Sequence, residues 1–345
     1  MKKYIFEILL ILAGLGIAAS LLAGLDERAT VQSLEVEIAG MERAPQVVSQ
    51  SRVVSITAEP IYELFEPGEP LWGPIDVRLD QNGRPMVIDF GDSTIKLLGD
   101  QGELLTALGK GKGQGPGEFQ AITDVAAFDH EIWVTDAGNS RLASFDRLGK
   151  IQETIKLETR PYRLATMEEE RFLMMHTPSQ LETFGVYSRD GKLNKAFGKF
   201  IDKPWDGQAL DGMLSRAPTG EFFYIGKYLG FFSLYDQQGV LRYSRETLSP
   251  TPLPELTKKG GVVRVARRSA VNALSASVSG DQLFLLRGTV IGNWLSDEIE
   301  VYDLSSGDYV HSFQLPEPAE RVYFHGNSFY QVKGSTLSKW RYEIQ

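Results

Sequence analysis

The sequence GKGKGQGPGEFQAITDVAAFDHEIWVTDAGNSRLASFD, residues 109–146, decides the fold. A glycine-rich run is followed by short apolar segments that are separated by turn residues. The third segment leads through Asp146 and Gly149 into a fourth, alternating segment. Glycine tolerates positive φ and aspartate can accept hydrogen bonds from a turn backbone, so the last two segments are predicted to form a β-hairpin. The four predicted strands are Asp124–Phe128, Glu131–Thr135, Leu142–Phe145 and Lys150–Leu157.

The hairpin pattern of an apolar segment, a turn with aspartate and glycine, and an alternating segment occurs five times. The glycines that end the five turns are Gly102, Gly149, Gly191, Gly239 and Gly307, at intervals of 47, 42, 48 and 68 residues. Apart from the last interval, this is the length of a four-stranded β-propeller blade, and a β-sandwich would not need so even a period. No helical periodicity of useful length follows residue 50. The chain is therefore predicted to be an all-β propeller.

The end of the chain gives the number of blades, because the sixth unit lacks its outer strand. Val53–Leu64 precedes the first complete unit and is a strand with no unit of its own. Placing it outside the last three strands closes the ring and covers an exposed sheet edge. Residues 52–345 number 294, which gives 49 residues for each of six blades. We predict a six-bladed β-propeller over residues 51–345, closed by strand 53–64. The last three predicted strands are Arg321–Phe324, Ser328–Val332 and Thr336–Ile344.

The opening stretch resembles one repeat of the NHL class of six-bladed propellers, and the first unit matches the same repeat in part. The resemblance implies the six-bladed fold. It does not select a function, because relatives on this scaffold include interaction modules, RNA binders, lactone hydrolases and a lyase. The matching segments are Gly109–Phe119, Ile122–Ala126, Ile132–Arg141 and Phe145–Asp146 in the full repeat, and Gly73–Val77 and Val87–Asp89 in the partial one.

The first 25 residues are a candidate membrane anchor. Tyr4–Leu25 is apolar except for Glu7. At about 1.5 Å rise per residue, a helix of this length spans the hydrocarbon core of roughly 30 Å. A cleaved signal peptide would end near Ala18-Ala19-Ser20, but the apolar run continues beyond that site. We predict that residues 1–25 are a retained single transmembrane signal-anchor.

The charges around this segment predict its orientation. Lys2 and Lys3 precede it, and Asp26-Glu27-Arg28 follows it. By the positive-inside rule the N-terminus lies in the cytoplasm. The propeller is then periplasmic or otherwise extracytoplasmic, and residues 26–50 are a polar stalk between the anchor and the propeller.

Composition excludes several classes of function. The formal net charge is −9, and there is no cysteine. Non-specific nucleic-acid binding draws most of its affinity from neutralising phosphates, so we predict no nucleic-acid partner. The absence of cysteine excludes disulfides, thiolate nucleophiles, iron–sulfur clusters and cysteine-ligated zinc. It also excludes the lipid-modified cysteine of a bacterial lipoprotein.

The glycine-rich run Gly109–Gly117 contains lysines, as phosphate-binding loops do. It lacks the Gly-Lys-Ser/Thr ending and the following helix that a P-loop requires. In the NHL class, which it resembles, such a run links the outer strand of one blade to the inner strand of the next. We predict that structural role here.

Aspartates recur at repeat positions and are predicted to satisfy backbone groups at blade corners, with the same role in each blade. A metal site would need several carboxylates converging with histidines or carbonyls. The histidines show no His-x-x-x-His pair, and no Gly-x-Ser-x-Gly motif is present. We predict no catalytic residue, no cofactor and no metal. The aspartates are Asp76, Asp89, Asp124 and Asp136, and the histidines are His130, His176, His311 and His325.

One interval exceeds the repeat period by about 20 residues, near Thr247–Ser269. Within it, Lys258–Arg268 carries five cations and no anion. The simplest interpretation is a solvated, flexible loop. A basic insertion on an acidic protein is nevertheless unusual, and long loops on rigid scaffolds often carry function. We predict that it contacts an acidic partner or anionic lipid headgroups. The predicted partner-binding residues are Lys258, Lys259, Arg264, Arg267 and Arg268.

These features favour a non-enzymatic extracytoplasmic interaction or scaffold module, an accessory subunit of a membrane protein complex. A lactonase-like or lyase-like enzyme with a metal in the central channel is the first alternative. A sugar or peptide sensor that uses the mouth of the propeller is the second.

Overall fold

A computed structural model describes residues 32–34, 43–48, 52–64 and 71–345, apart from positions 81, 129, 169–170, 177–181, 218 and 291. Within this part of the chain, six four-stranded antiparallel sheets follow one another in sequence order. The prediction of an all-β, six-bladed propeller is confirmed. A seventh, three-stranded sheet lies outside the blades.

Two strands precede the blades, and each later blade takes four consecutive strands except the last. The early strands are β1 (Gln32–Leu34) and β2 (Ile56–Leu64). Blade 1 contains β3 (Pro74–Leu79), β4 (Pro85–Asp89), β5 (Thr94–Leu98) and β6 (Leu104–Leu108). Blade 2 contains β7 (Ile122–Phe128), β8 (Glu131–Asp136), β9 (Arg141–Asp146) and β10 (Ile151–Lys156). Blade 3 contains β11 (Pro161–Thr166), β12 (Phe172–His176), β13 (Glu182–Tyr187) and β14 (Leu193–Lys199).

A 3₁₀ helix, Pro204–Leu210, connects blade 3 to blade 4. Blade 4 contains β15 (Gly212–Arg216), β16 (Phe222–Gly226), β17 (Phe231–Tyr235) and β18 (Leu241–Glu246). The connection to blade 5 contains β19 (Leu256–Lys259) and β20 (Val262–Val265). Blade 5 contains β21 (Ala273–Ser279), β22 (Gln282–Arg287), β23 (Ser296–Asp303) and β24 (Tyr309–Ala319). Blade 6 contains β25 (Arg321–His325), β26 (Ser328–Lys333) and β27 (Thr336–Ile344).

The outer strand of blade 6 is β2, so the sheet order is β2-β27-β26-β25. The two strands pair antiparallel from Ile56 opposite Ile344 to Leu64 opposite Leu337, with a register shift between Pro60 and Tyr62. The strand proposed from the sequence for this position thus lies beside the last strand of the chain.

The core lies between the blades, where the two faces of each sheet pack on its neighbours. The central strands are buried along their length because both faces are covered, as in β12 and β16. Aromatic pairs link successive blades, and such pairs contribute about 0.5–1.5 kcal/mol each beyond area burial. Four of these pairs are Trp133–Phe172, Phe184–Tyr224, Phe232–Tyr302 and Phe284–Phe324, with ring centroids 4.7, 5.3, 4.8 and 4.3 Å apart.

The recurring turn glycines have two roles. Gly149 has φ 84°, and a Cβ there would lie 3.0 Å from the carbonyl oxygen of Ala107 in the outer strand of blade 1. Gly239 has φ 73°, and a Cβ there would lie 2.7 Å from the ring of Phe197 in the outer strand of blade 3. Any other residue would be strained in the turn and would push the neighbouring blade away.

The basic insertion forms a β-hairpin, so the interpretation as a flexible solvated loop is wrong. Leu256 pairs with Val265 and Lys259 with Val262. The turn Gly260-Gly261 has φ 57° and 78°, as a two-residue type I′ turn requires. Leu256 is fully buried, and Val263 and Val265 pack on the same core cluster, which also contains Leu210 of the 3₁₀ helix. Apolar anchoring on one face therefore fixes the hairpin to the propeller.

Described parts of residues 26–50, predicted as a stalk, run along the propeller. β1 pairs with β19, with Gln32 opposite Lys258 and Leu34 opposite Leu256. The backbone of Ala44 exchanges hydrogen bonds with blade 4, donating to Ser244 at 3.1 Å and accepting from Glu246 at 3.0 Å. The side chain of Gln46 donates to the carbonyls of Glu246 and Gly307, both at 2.9 Å.

The predicted anchor, residues 1–25, lies outside the described residues. Among the residues that are described, no helix has both the length and the apolar character needed to cross a membrane.

Deleting residues 51–64 should abolish cooperative unfolding rather than lower its midpoint. The deletion removes the outer strand of blade 6 and exposes the paired edge of β27. Far-UV circular dichroism during urea titration measures the effect. The substitution pair Glu59→Ala and Glu63→Ala, at exposed positions of the same strand, is the control and should retain the transition. A sharp transition in the deletion variant would contradict the role of this strand in closing the ring.

Candidate interaction surface and central channel

The antiparallel blades give the propeller two distinct faces. The connections between blades, and the turns between the second and third strands of each blade, lie on one side, here called the connector face. The remaining turns lie on the opposite side, here called the turn face. The basic hairpin β19–β20 belongs to the connection between blades 4 and 5 and therefore lies on the connector face.

The structure brings only part of the predicted basic site together. Lys259 and Arg264 lie on the outward face of the hairpin with Thr257 and Val262, and these four residues line a groove of about 320 Å³. Lys258 is opposite Val263 on the other face, near the exposed tip.

The remaining predicted residues, Arg267 and Arg268, follow the hairpin in an exposed turn. Among the described residues, none of the five cations forms an ion pair. The charge of the hairpin is therefore available to a partner, while its apolar face is occupied by the core.

The recurring aspartates divide into two in-phase pairs. Asp89 accepts hydrogen bonds from the backbone N–H of Trp72 at 2.8 Å and of Gly91 at 3.0 Å. Asp136 accepts from the N–H of Ala121 at 3.0 Å and from Nε of Arg141 at 3.1 Å. Both are fully buried at blade corners.

The other pair, Asp76 and Asp124, lies on the innermost strands beside the central channel, so the predicted corner position is wrong for these two. Both still accept hydrogen bonds from backbone N–H groups, as predicted. Arg78 reaches both carboxylates, with Nη1 2.9 Å from Asp76 and Nε 3.1 Å from Asp124. Asp124 also accepts hydrogen bonds from the N–H of Val125 at 3.0 Å and of Leu164 in blade 3 at 3.1 Å. Asp124 therefore links blade 2 to blades 1 and 3.

Burial and charge act in opposite directions on these two acids. Burial alone would raise the pKa of Asp76, but Arg78, Arg321 and Arg163 outweigh it and hold the pKa below its ordinary value. For Asp124, burial is the dominant effect and raises the pKa despite the nearby Arg78 and Arg163.

A second charged cluster lies where the channel meets the connector face. The hydroxyl of Tyr162 donates to Asp211 at 2.7 Å, and Nζ of Lys227 lies 3.2 Å from the other oxygen of Asp211. Burial would raise the pKa of Asp211, but Lys227, Arg163 and Tyr162 lower it overall. The ammonium of Lys227 also lies 4.9 Å from the ring centre of Trp294.

Arg163 connects three blades at this level. Its Nη1 donates to the carbonyl of Thr123 in blade 2 at 2.8 Å, and its Nε donates to the carbonyl of Gly212 in blade 4 at 3.0 Å. Its guanidinium also lies 4.5 Å from the ring centre of Tyr162.

The channel is divided in two by Arg78 and Tyr323, which line the cavity on either side of them. The cavity toward the turn face has a volume of about 210 Å³, and that toward the connector face only about 20 Å³. The larger cavity is lined by apolar side chains, including Ala126 and Ala165, together with the charged Asp80 and Arg216.

The described residues offer no cluster of metal ligands. Within the described ranges, no group of three His, Asp or Glu side chains is placed to hold a metal ion. His176 is buried in blade 3, with Nδ1 3.0 Å from the carbonyl of Glu182 and Nε2 2.8 Å from the hydroxyl of Tyr187. Burial lowers the pKa of His176.

Sequence reasoning did not identify Arg78, Arg163, Asp211 and Lys227. The available signal was the position of Arg163 on an innermost strand, where it lies in phase with Asp124 of the neighbouring unit. Arg78 lies two residues after Asp76 on the innermost strand of blade 1. Arg78 and Arg163 also contact groups of other blades, and local spacing does not reveal those contacts.

No known protein family matches the sequence, and no curated protein resembles it significantly. Solved structures are similar in fold. Virginiamycin B lyase from Staphylococcus aureus has a TM-score of 0.51 at 12% identity, covering 83% of this chain and 99% of the lyase. A putative exported protein from Bacteroides fragilis has a TM-score of 0.57 at 8% identity, covering 89% of this chain and 100% of that chain. A member of the DUF4221 family from Bacteroides vulgatus has a TM-score of 0.58 at 10% identity, covering 84% of this chain and 98% of that chain. At these identities the similarity establishes the fold alone.

Replacing Arg78 with methionine should reduce the free energy of unfolding by about 3–5 kcal/mol, because it removes the cation that contacts both the buried Asp124 and the partly buried Asp76. The difference in the free energy of unfolding between the parent chain and R78M should become smaller below about pH 4. The depressed pKa of Asp76 stabilises the folded chain at pH values above the pKa that Asp76 has in the unfolded chain. That stabilisation disappears as the pH falls through the lower pKa of the folded chain. Urea unfolding at neutral and acidic pH measures both effects. The triple variant R78M with Asp76→Asn and Asp124→Asn should recover part of the loss, and an undiminished defect at acidic pH would contradict the ion-pair explanation.

Proposed function

We propose that this chain is a non-enzymatic, NHL-repeat-like interaction module, held on the extracytoplasmic side of a membrane as an accessory subunit or scaffold of a membrane protein complex. The observation that carries the proposal is the basic hairpin. Five cations, three on the hairpin and two in the turn that follows it, have no ion-pair partner among the described residues. Leu256 fixes the hairpin to the core. A fixed array of unpaired charge suits recognition of an acidic partner or of anionic headgroups, where the charges act together to steer association and fix orientation.

Two further features support an extracytoplasmic, membrane-attached location. The similar fold of a putative exported protein is consistent with export. The chain also meets the hairpin soon after the apolar segment, because Gln32 pairs with Lys258 only seven residues beyond Leu25. An extended chain of that length reaches at most about 25 Å. A membrane-spanning segment 1–25 would therefore keep the hairpin close to the bilayer surface.

The substitution of Arg264, Arg267 and Arg268 with serine should leave thermal stability nearly unchanged, because these side chains are exposed and exposed charges contribute roughly 0–1 kcal/mol through pairing. It should weaken association with the native complex, most strongly at low salt. Extraction in mild detergent, affinity capture and quantitative mass spectrometry measure the association. A matched control replaces three exposed cations elsewhere, Lys150, Lys156 and Arg242, with serine. Equal association of both triple variants at low salt would contradict a role for the hairpin.

The mature protein should retain residues 1–25 and stay with the membrane after high-salt and carbonate washes. Intact mass of protein extracted by detergent tests this, because cleavage after Ser20 would start the chain at Leu21. A mature N-terminus near that residue would contradict the anchor without affecting the role of the hairpin.

An enzyme is the second candidate, favoured by one observation, the fold similarity to virginiamycin B lyase. One such structure contains a catalytically inactive histidine-to-alanine variant with quinupristin, at a TM-score of 0.52 and 11% identity. A lyase-like or lactonase-like enzyme would need a metal in the channel of this chain. Metal analysis of the purified protein, and incubation with quinupristin followed by mass spectrometry, separate this candidate from an interaction module. A stoichiometric channel metal with turnover would replace the proposal above.

A sugar or peptide sensor would instead use the connector-side mouth around Tyr162, Asp211 and Lys227. Saturable binding of such a ligand, lost in Asp211→Asn, would favour a sensor.

A further inference from the structure

One corner of blade 1 exposes three large apolar side chains on the connector face. Trp72 is 54% exposed, Ile75 44% and Phe90 65%. Trp72 and Ile75 flank the start of the innermost strand, and Phe90 begins the turn between the second and third strands. Their proximity follows from the backbone, since the N–H of Phe90 donates to the carbonyl of Gly73 at 2.9 Å.

The repeat shows that the corner does not need these residues for its structure. The same backbone arrangement occurs in blade 2, where the N–H of Ala137 donates to the carbonyl of Ala121 at 2.9 Å. In both blades a buried aspartate accepts hydrogen bonds from the connection, Asp89 in blade 1 and Asp136 in blade 2. The blade 2 equivalents of Trp72, Ile75 and Phe90 are Gln120, Thr123 and Ala137.

The apolar side chains are held on a rigid base. Asp89 is fully buried and fixes both the N–H of Trp72 and the N–H of Gly91. A Cβ on Gly91 would lie 2.7 Å from the Cβ of Trp72, so the two segments are in close contact. The exposure of these rings is therefore a feature of a tightly bonded corner.

Two lysines lie beside this corner. Lys110 and Lys112 flank Gly111, and a Cβ on Gly111 would lie 3.5 Å from the carbonyl oxygen of Asp92, in the same turn as Phe90. Both lysines are exposed, and neither forms an ion pair within the part of the chain that the structure describes. The side chain of Asp92 is occupied by Lys96 and Thr94. The corner thus combines apolar area with two lysines that have no ion-pair partner in the described ranges.

The geometry points to this corner patch, formed by Trp72, Ile75, Phe90, Lys110 and Lys112, as a docking site for an anionic lipid bilayer. Half-exposed aromatic side chains flanked by lysines suit the interface between headgroups and acyl chains. The patch in blade 1 and the hairpin beside blade 4 lie on the same face and on opposite sides of the ring. Two basic regions separated in this way match an extended anionic plane better than a single compact partner. The inference rests on the membrane attachment proposed above.

Distance-dependent quenching of a single label tests the orientation in the full-length chain. The sequence has no cysteine, so Gln114→Cys on the connector face and Gln238→Cys on the turn face each give one labelling site. Each labelled chain is inserted into phosphatidylcholine nanodiscs that contain a nitroxide-headgroup lipid, with and without phosphatidylglycerol. We expect stronger quenching at position 114 than at position 238, with a larger difference when phosphatidylglycerol is present.

The patch variant replaces the blade 1 residues with their blade 2 equivalents, Trp72→Gln, Ile75→Thr and Phe90→Ala. It should unfold in urea like the parent chain but lose the difference between the two labels. In the second variant, Lys110→Ser with Lys112→Ser, the difference in quenching between the two labels should remain, but it should no longer increase when phosphatidylglycerol is present. Equal quenching at both positions overturns the proposal. An unchanged difference in quenching between positions 114 and 238 in the patch variant also overturns it. If the patch variant loses complex association without a change in quenching, the patch binds a protein partner instead.

Failure of the anchor is recognised separately, because the chain would then not insert into the discs. In that case the labelled chains are added to vesicles of the same lipids. Docking still predicts stronger quenching at position 114 with phosphatidylglycerol, and its absence overturns docking itself.

Discussion

The pairing of β2 with β27 is the constraint on which the rest of the structure depends. Each blade buries both faces against its neighbours, so a row of six blades would leave two apolar faces open. Closing the row brings Tyr330 and Leu337 of blade 6 against Val77 and Leu98 of blade 1. Blade 6 is held beside blade 1 because β2, which precedes blade 1 in the chain, pairs with β27 in the sheet of blade 6. Backbone hydrogen bonds contribute about 0.5–1.5 kcal/mol net each, so a nine-residue strand supplies a strong link.

The channel shows how the same ring is secured at its narrowest part. The innermost strands of neighbouring blades do not pair with one another, and side chains make the connections instead. Arg78 and Arg163 bridge blades through carboxylates and carbonyls, while Ser275 donates to the carbonyl of Val322 at 3.2 Å and accepts from its N–H at 2.8 Å. Such buried polar contacts are costly to break singly, yet they add little net stability compared with apolar packing. Their consistent effect is to fix the spacing of the blades.

The parts of this fold that could be predicted from sequence are those encoded by local backbone requirements. Gly149 and Gly239 need positive φ and leave no room for a side chain, so the hairpins repeat visibly and the blade number follows. The channel pairs could not be predicted in this way, because Arg78 and Asp124 belong to different blades and their spacing follows only from ring geometry. The hairpin β19–β20 also has a local sequence signal, because Gly260-Gly261 between alternating residues is typical of a two-residue β-hairpin turn. The sequence prediction relied instead on the positive charge of this segment. The cations predicted as a contact surface are exposed.

The pairing of β2 with β27 also determines at which point of synthesis the propeller can close. The first strand of the ring has no partner until residues 336–344 have been synthesised, and nearly the whole chain must be present before the last interface forms. Contacts between residues so distant in sequence form slowly. Until they form, the partly folded chain exposes strand edges and apolar faces. A chain that ends before β27 would leave β2 permanently unpaired. A chain that lacks β27 should therefore expose strand edges and apolar faces that proteases and chaperones can recognise, whereas a chain with β27 covers them.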